Sequence, residues 1–270
     1  MDLIHARTDE LPRLVDLNAP APYPIDPSNV VVRTEAQANP TRPVPILPGG
    51  ARSVIVTENG GRARYTAANL TFIKERSTDR WALRASYTLA KLRNDTDDIN
   101  FRAQDANDFD AEYGPSVNDR RYVGTAIAWV YPLKSLTVSL AALLQSGQPI
   151  NRIPDARISG TTDLNGDGRS FGDAYVGNSD RWPGASRNGD RLPWSYLFDL
   201  GAQYRIAVGG SSQLELRADV FNLFNHPNLS GYSNNATQSN QIQIGPPGGE
   251  VVQKNAGAPR QFQFGVRWLF

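Results

Sequence analysis

No cysteine occurs among the 270 residues, which excludes disulfides, thiolate catalysis and cysteine-based zinc sites while leaving the compartment open. Long hydrophobic runs are missing too. The longest apolar stretch, residues 126–133, is far short of the roughly 20 residues a membrane-crossing helix needs, and mean hydropathy is -0.45. Neither sign of charge is in excess: 28 Lys and Arg against 27 Asp and Glu leave +1, with no basic helix face to argue for nucleic acid. The only histidines are His5 and His226, and there is no G-x-S-x-G elbow, H-E-x-x-H or P-loop, so no enzyme is expected. Met1 is followed at once by Asp2 and by mixed charges over residues 7–13, without the apolar core or cleavage site of a signal peptide.

What the chain does contain is alternation with a period of two. Its last ten residues put Phe262, Phe264, Val266, Trp268 and Phe270 on one strand face and Gln261, Gln263, Gly265 and Arg267 on the other. In water such a strand invites aggregation; in an outer membrane one face suits lipid and the other a barrel interior. The same pattern recurs in Ala68, Leu70 and Phe72, in Trp81 to Leu89, in Leu136 to Leu144, in Tyr196 to Ile206 and in Leu214 to Val220. Over residues 122–131, Val123, Ile127, Trp129 and Tyr131 are assigned to the lipid face, away from Tyr122, Gly124, Ala126 and Ala128. Each segment is close to the roughly 9 to 11 residues of a tilted membrane strand.

The connections alternate in length. Short turns fall at residues 75–80, 132–134 and 208–212; long polar loops cover 93–120, 147–193 and 225–259. Loops beyond about 15 residues are uncommon in compact domains and usually functional. Short periplasmic turns and long extracellular loops are the layout of an outer-membrane barrel. With Phe270 periplasmic, Trp81, Tyr131, Tyr204 and Trp268 fall at periplasmic strand ends as an interfacial girdle, while Arg84, Asp199, Glu215, Arg217 and Asp219 share the opposite face. An Arg facing lipid at the midplane would cost roughly 2 to 4 kcal/mol. Counting strands back makes residues 63–74 descend. Residues 1–62 are then a partial strand plus extracellular loop, with 2–7 the strand remnant and 18–48 and 53–58 in the loop, and 63–270 form transmembrane hairpins. The fold expected is all-β, an antiparallel transmembrane barrel segment of about eight strands, an even number as in other bacterial barrels.

Two loop features carry possible chemistry. Asp163, Asn165, Asp167 and Gly168 match the opening of a calcium loop, with side-chain oxygens at alternate positions and a glycine at the sharp turn. The closing bidentate Glu is replaced by Ala174, with Asp173 one residue early, so an Asn/Gly turn held by its own side chains is the other reading. Asp95, Asp97, Asp98, Asp105, Asp108, Asp110 and Glu112 make an acidic loop that attracts cations or is simply a solvated exterior loop.

Four stretches together carry a resemblance. ASYTLAK at 85–91, TDLNGDG at 162–168, RADVFNLFNHPN at 217–228 and APRQFQFGVRWLF at 258–270 are similar, in order and spacing, to the C-terminal barrel of TonB-dependent outer-membrane receptors of the Oar-like type. The resemblance covers nearly the whole chain. It implies a barrel of about 22 strands, a globular plug in the lumen and a short N-terminal segment gripped by TonB. This chain resembles only the last third of such a receptor, so the plug, the TonB-binding segment and the signal peptide are expected to lie outside it. In the family the terminal aromatic strand is the signal read by the barrel assembly machinery, which gives that role to Phe262, Phe264, Val266, Trp268 and Phe270.

The expected function is therefore ligand binding and passage by part of an outer-membrane receptor, without catalysis. Outer-membrane lipid, the assembly machinery and an unknown ligand are the expected partners, and TonB engages only through the absent N-terminal part. No cofactor is expected beyond the calcium that Asp163, Asn165 and Asp167 would hold. A small closed eight-strand barrel with a structural or adhesive role is the alternative, and a secreted soluble β protein a third.

Overall fold

The computed structural model describes residues 1–97, 99, 101–154, 159–168, 180–228, 241–244, 250–252 and 257–270. Its strands in chain order are β1 (Asp2–Asp16), β2 (Ile55–Lys74), β3 (Trp81–Asn94), β4 (Gly114–Pro115), β5 (Tyr122–Leu133), β6 (Leu136–Gln145), β7 (Pro149–Pro154), β8 (Asp190–Arg191), β9 (Ser195–Gly209), β10 (Ser212–Phe221), β11 (Gln241–Ile244), β12 (Glu250–Val252) and β13 (Gln261–Leu269). Eight of them form one antiparallel meander, β1-β2-β3-β5-β6-β9-β10-β13, with the two-residue β4 added to β3. Every long strand pairs with its sequence neighbour, and the edges β1 and β13 do not meet, so the sheet is open.

Short turns join β2 to β3, β5 to β6 and β9 to β10; all four long connections leave the opposite end. The β9–β10 turn needs positive φ, and Gly209 and Gly210 supply 125° and 59° without a Cβ to clash. The first two strands run further than the alternation predicted. β1 continues to Asp16, and β2 begins at Ile55, because Arg13, Leu14, Val15 and Asp16 pair with Glu58, Thr57, Val56 and Ile55. Pro12 and two register shifts between Thr8 and Arg13 hide this extension from a period-two reading. Ladder hydrogen bonds need no alternation of side chains, so paired backbone outlasts the lipid-facing pattern.

The register fixes the two faces. On β9, β10 and β13, Tyr204, Leu216 and Val266 lie in one row and Arg205, Glu215 and Arg267 in the next. Arg84, Asp199, Glu215, Arg217 and Asp219 all fall on the inner face, as their sequence parity implied. The expectation for β5 is corrected. Tyr87 pairs with Gly124, Leu83 with Ala128 and Trp81 with Val130, so Gly124, Ala126 and Ala128 face outward. Ile127 pairs with Arg84, and Trp129 with Ala82, on the inner side. Both parities of this segment are apolar, so hydropathy alone had no basis for choosing. Tyr131 leaves the outer girdle as well: it sits at the irregularity between Val130 and Leu133, with the Arg76 guanidinium 4.0 Å over its ring.

Toward the short-turn end the outer face is bare among the described residues, and Phe264, Val266 and Phe270 are 77%, 73% and 97% exposed. The buried core lies elsewhere. Phe101, Ile150, Ile153, Leu164 and Leu192 are all buried, and all belong to the long-loop end. The loops thus fold into a cap with a core of its own, braced by the small sheet β12-β11-β7-β8.

Candidate functional site

The cap is built from the described residues of 17–54, 95–121 and 146–194. Its first segment starts at Asp16, whose Oδ1 accepts the amides of Asn18 and Val54, both at 2.9 Å. Asn18 then donates to the carbonyls of Val44 and Arg52 and accepts from Val44 N–H, which closes the segment on itself. Thr34 opens the short helix Glu35–Ala38 with a reciprocal Thr–Gln capping box, leaving Arg33 just ahead of it.

From this segment three guanidinium groups reach the Asp163–Gly168 turn. Arg33 donates to the carbonyl of Asn165, Arg42 to that of Asp167 at 2.7 Å, and Arg52 to that of Gly168. Arg42 is buried, which holds its proton less tightly than usual while Asp16 partly restores it. Gly166 has φ +72°, and a Cβ there would lie 2.5 Å from the Arg33 carbonyl oxygen, so close approach and conformation both demand glycine.

Within the turn, the two oxygens of Asp163 accept the amides of Gly166 at 2.7 Å and Gly168 at 2.9 Å, and Asn165 Oδ1 accepts that of Asp167 at 2.8 Å. The residues proposed as cation ligands are thus brought together, but with their oxygens turned to backbone N–H donors. Ala174 and Asp173 lie outside the described residues. Among the described residues no three His, Cys, Asp or Glu side chains converge as a metal ligand set. Behind the turn, Asp180 is buried and accepts the amides of Leu164 and Asn165 at 2.6 and 2.9 Å. Burial pushes its carboxyl up to about 8, Asp167 and Asp163 adding to the shift against those amides.

The acidic loop divides: Asp108 and Asp110 are exposed, as in a solvated loop, whereas its other described carboxylates are drawn into the cap. Asp95, Glu112 and Asp119 are buried and paired. Arg181 makes a two-pronged contact with Glu112 at 2.7 and 2.9 Å; burial opposes ionisation there, but Arg181 and Arg187 hold the carboxyl below its ordinary range. Arg187, 1% exposed, donates to Asn94 O at 2.7 Å, Asn94 Oδ1 at 3.0 Å, Glu112 O at 3.1 Å and the Asp97 carboxylate, and lies over the Phe101 ring. Arg191 pairs with Asp119, which also accepts Leu92 N–H. Asp98 lies outside the described residues. The described residues of 146–194 are therefore clamped from both sides: by arginines donated to them from 17–54, and by arginines they donate to 95–121.

Two of the cavities among the described residues bear on function. A polar one of about 210 Å³ lies in the cap between Tyr23, Arg33, Gln104, Asn165, Asp167 and Arg181. An apolar one of about 400 Å³ lies on the inner face of the sheet, lined by Ile73, Ile127, Leu143 and Leu197 with Arg84 and Asp199 at its side.

On the outer face a second aromatic belt, unseen in the sequence, marks the cap end. Tyr122 stacks on Trp194 at 5.6 Å, His226 lies 4.6 Å from the Tyr196 ring, and Phe198 meets Phe224 edge-on at 5.1 Å. Its signal was the continuation of Tyr196 and Phe198 along the outward parity of β9. From Tyr196 to Tyr204 the strand rises about 26 Å, or about 20 Å in height at a barrel's usual tilt, close to the apolar band of an outer-membrane barrel. Trp81, Tyr204 and Trp268 mark the other border. The terminal strand's Phe262, Phe264, Val266 and Trp268 also face outward, in rows with Val220, Ala218, Leu216 and Leu214.

No curated protein matches the sequence. Seven chains of solved structures do. They include the siderophore receptor PiuA from Acinetobacter baumannii, at 12% identity and TM-score 0.44, covering 78% of this chain and 22% of that one. Another is the ferripyoverdine receptor of the outer membrane of Pseudomonas aeruginosa bound to ferripyoverdine, at 16% identity and TM-score 0.48, covering 88% of this chain and 23% of that one. The chain thus spans less than a quarter of the length of the receptors it matches. A family model described as an outer membrane beta barrel domain matches residues 5–263. With that match over nearly its full length, and with two faces and two aromatic belts of the kind a lipid bilayer demands, the chain belongs to the outer-membrane β-barrel domain family and resides in the outer membrane.

Proposed function

We propose that this chain is part of the wall and cap of a TonB-dependent receptor, taking up a ligand through the cap and passing it into the lumen. The observation that carries the reading is the order of the long loops. Binding loses affinity to every segment it must first immobilise, and here buried Arg187, Arg42 and Glu112 hold three loops in one arrangement beforehand. The polar cavity between Tyr23, Arg33 and Arg181 is the first contact for ligand. The open edges of β1 and β13 favour a wall of more strands over a small barrel closed by these eight. The TonB complex would act through a plug beneath the cap, and the assembly machinery would read Phe262, Phe264, Val266, Trp268 and Phe270.

Uptake by cells carrying the full-length protein tests this, with ferric siderophores and oligosaccharides as probes. Uptake of one probe that stops when TonB is removed, while surface binding persists, supports a receptor. Binding that never leads to TonB-dependent uptake of any probe supports the adhesive alternative and overturns the proposal.

A further inference from the structure

A row of like charges crosses the outer face just above the upper aromatic belt. Leu3, Ala68, Leu89 and Tyr122 are register partners at the belt itself. One step further toward the cap come His5, Thr66 and Lys91, and the next outward row is Arg7, Arg64 and Arg93. Three guanidinium groups directly opposite one another on adjacent strands repel, and the sheet gains nothing from keeping them in register. Arg7 pairs with Asp9 in its own strand, and Arg93 donates to the Tyr113 carbonyl at 3.0 Å with its guanidinium 4.6 Å from the Tyr113 ring. The Nε of Arg93 is buried without a partner. Among the described residues the side chains of Arg64 and Lys91 make no hydrogen bond or ion pair, and Asp9 is the only carboxylate these five cationic or ionisable side chains engage.

We infer that this row binds the phosphate groups of the outer leaflet's lipopolysaccharide. Position and chemistry both select that occupant. The row continues the lipid-facing surface and lies where acyl chains give way to headgroups, so an anion held there is one carried by a lipid. Planar guanidinium groups in line offer paired N–H donors to a phosphate, and Lys91 adds a point charge one row below. Tyr122, two rows below on the neighbouring strand, supplies the ring face that borders acyl chains. The inference rests on the membrane orientation alone and is independent of any transported ligand.

The test uses the full-length protein extracted from outer membranes in mild detergent, with retained lipopolysaccharide measured per chain by its phosphate and hydroxy fatty acids. Each basic side chain near an anionic lipid surface contributes about fivefold in affinity, so Arg64→Gln with Lys91→Gln lowers retention by about 25-fold. Heat-modifiable mobility of that variant checks assembly. If it does not assemble, the wild-type protein decides alone: it binds intact lipopolysaccharide in vesicles and fails to bind the enzymatically dephosphorylated form. Equal retention by an assembled variant, equal binding of dephosphorylated lipid, or displacement of the lipid by millimolar inorganic phosphate would each overturn the inference.

Discussion

Replacing Ala126 and Ile127 in turn by arginine sets the two faces of β5 against each other. Ala126 lies midway between Tyr122 at the upper belt and Val130 in the row of Trp81, and it pairs with Ala85 and Ala142 on the outward side. A guanidinium there meets lipid near the midplane, which costs about 2 to 4 kcal/mol in comparable barrels. Ile127 points inward, opposite Arg84 on one side and Ala141 on the other. Arginine at 127 pays only for a like charge across the strand, about 0.2 to 1 kcal/mol, with Asp199 one strand beyond Ala141 to soften it. The difference is about 2 kcal/mol, a factor of about 30 in the folding equilibrium. Guanidinium unfolding of the full-length protein in phospholipid vesicles measures it, with heat-modifiable mobility as a check on assembly. A destabilised Ile127→Arg beside a normal Ala126→Arg would refute the register and restore the face inferred from hydropathy.

Glu112→Gln leaves the largely covered Arg181 guanidinium without its carboxylate, a loss of about 3 kcal/mol in cap stability; limited proteolysis of the cap accelerates while barrel mobility on gels is unchanged. Cap stability falls as pH rises from about 4 to about 8 and is flat above, because folded Asp180 keeps its proton to about 8 whereas the unfolded chain gives it up near 3.8. Over that window the folded form binds more protons, so raising pH favours opening. Amide protection at Leu164 and Asn165 reports it, and Asp180→Asn abolishes the pH dependence while keeping an acceptor for both N–H groups. Protection of the Asp163–Gly168 turn is the same with added Ca²⁺ or with chelator, since the Asp163 oxygens are occupied by amides and three arginines already take the turn's carbonyls; a calcium-dependent rise in protection would reinstate the cation loop.

How much of this was legible depended on where the deciding partner lay. The faces of β9, β10 and β13 could be read residue by residue because Asp199, Glu215, Arg217 and Asp219 alternate with large apolar side chains. On β5 both parities are apolar, and only the pairing of Tyr87 with Gly124 decides the outward one. The Asp163–Gly168 turn was found, since its oxygens and glycines are local. Its arginines were not, because Arg33 and Arg42 stand 132 and 125 residues away from the carbonyls they bind. Likewise Asp97 and Glu112 read as solvated in the sequence because the arginines that pair with them, Arg187 and Arg181, lie 90 and 69 residues on. Short-range alternation specifies the wall, whereas the cap is specified by long-range charge pairing that has no sequence period.

The meander also prescribes an order of assembly. Because β2–β3, β5–β6 and β9–β10 are joined by the short turns, each can zip as an independent hairpin within microseconds, losing little chain entropy. Joining those hairpins requires closing the long connections, whose entropy penalty grows only slowly with length, by about 0.6 kcal/mol per doubling. The longest of them, residues 146–194, separates β6 from β9, so the join across the middle of the sheet carries the largest penalty, and β1 and β13 dock across the shorter connections 17–54 and 222–260. Until the long connections close, the hydrogen-bonding edges of each hairpin are bare, so the slowest and most aggregation-prone steps in this chain's assembly are the joins between hairpins rather than the hairpins themselves.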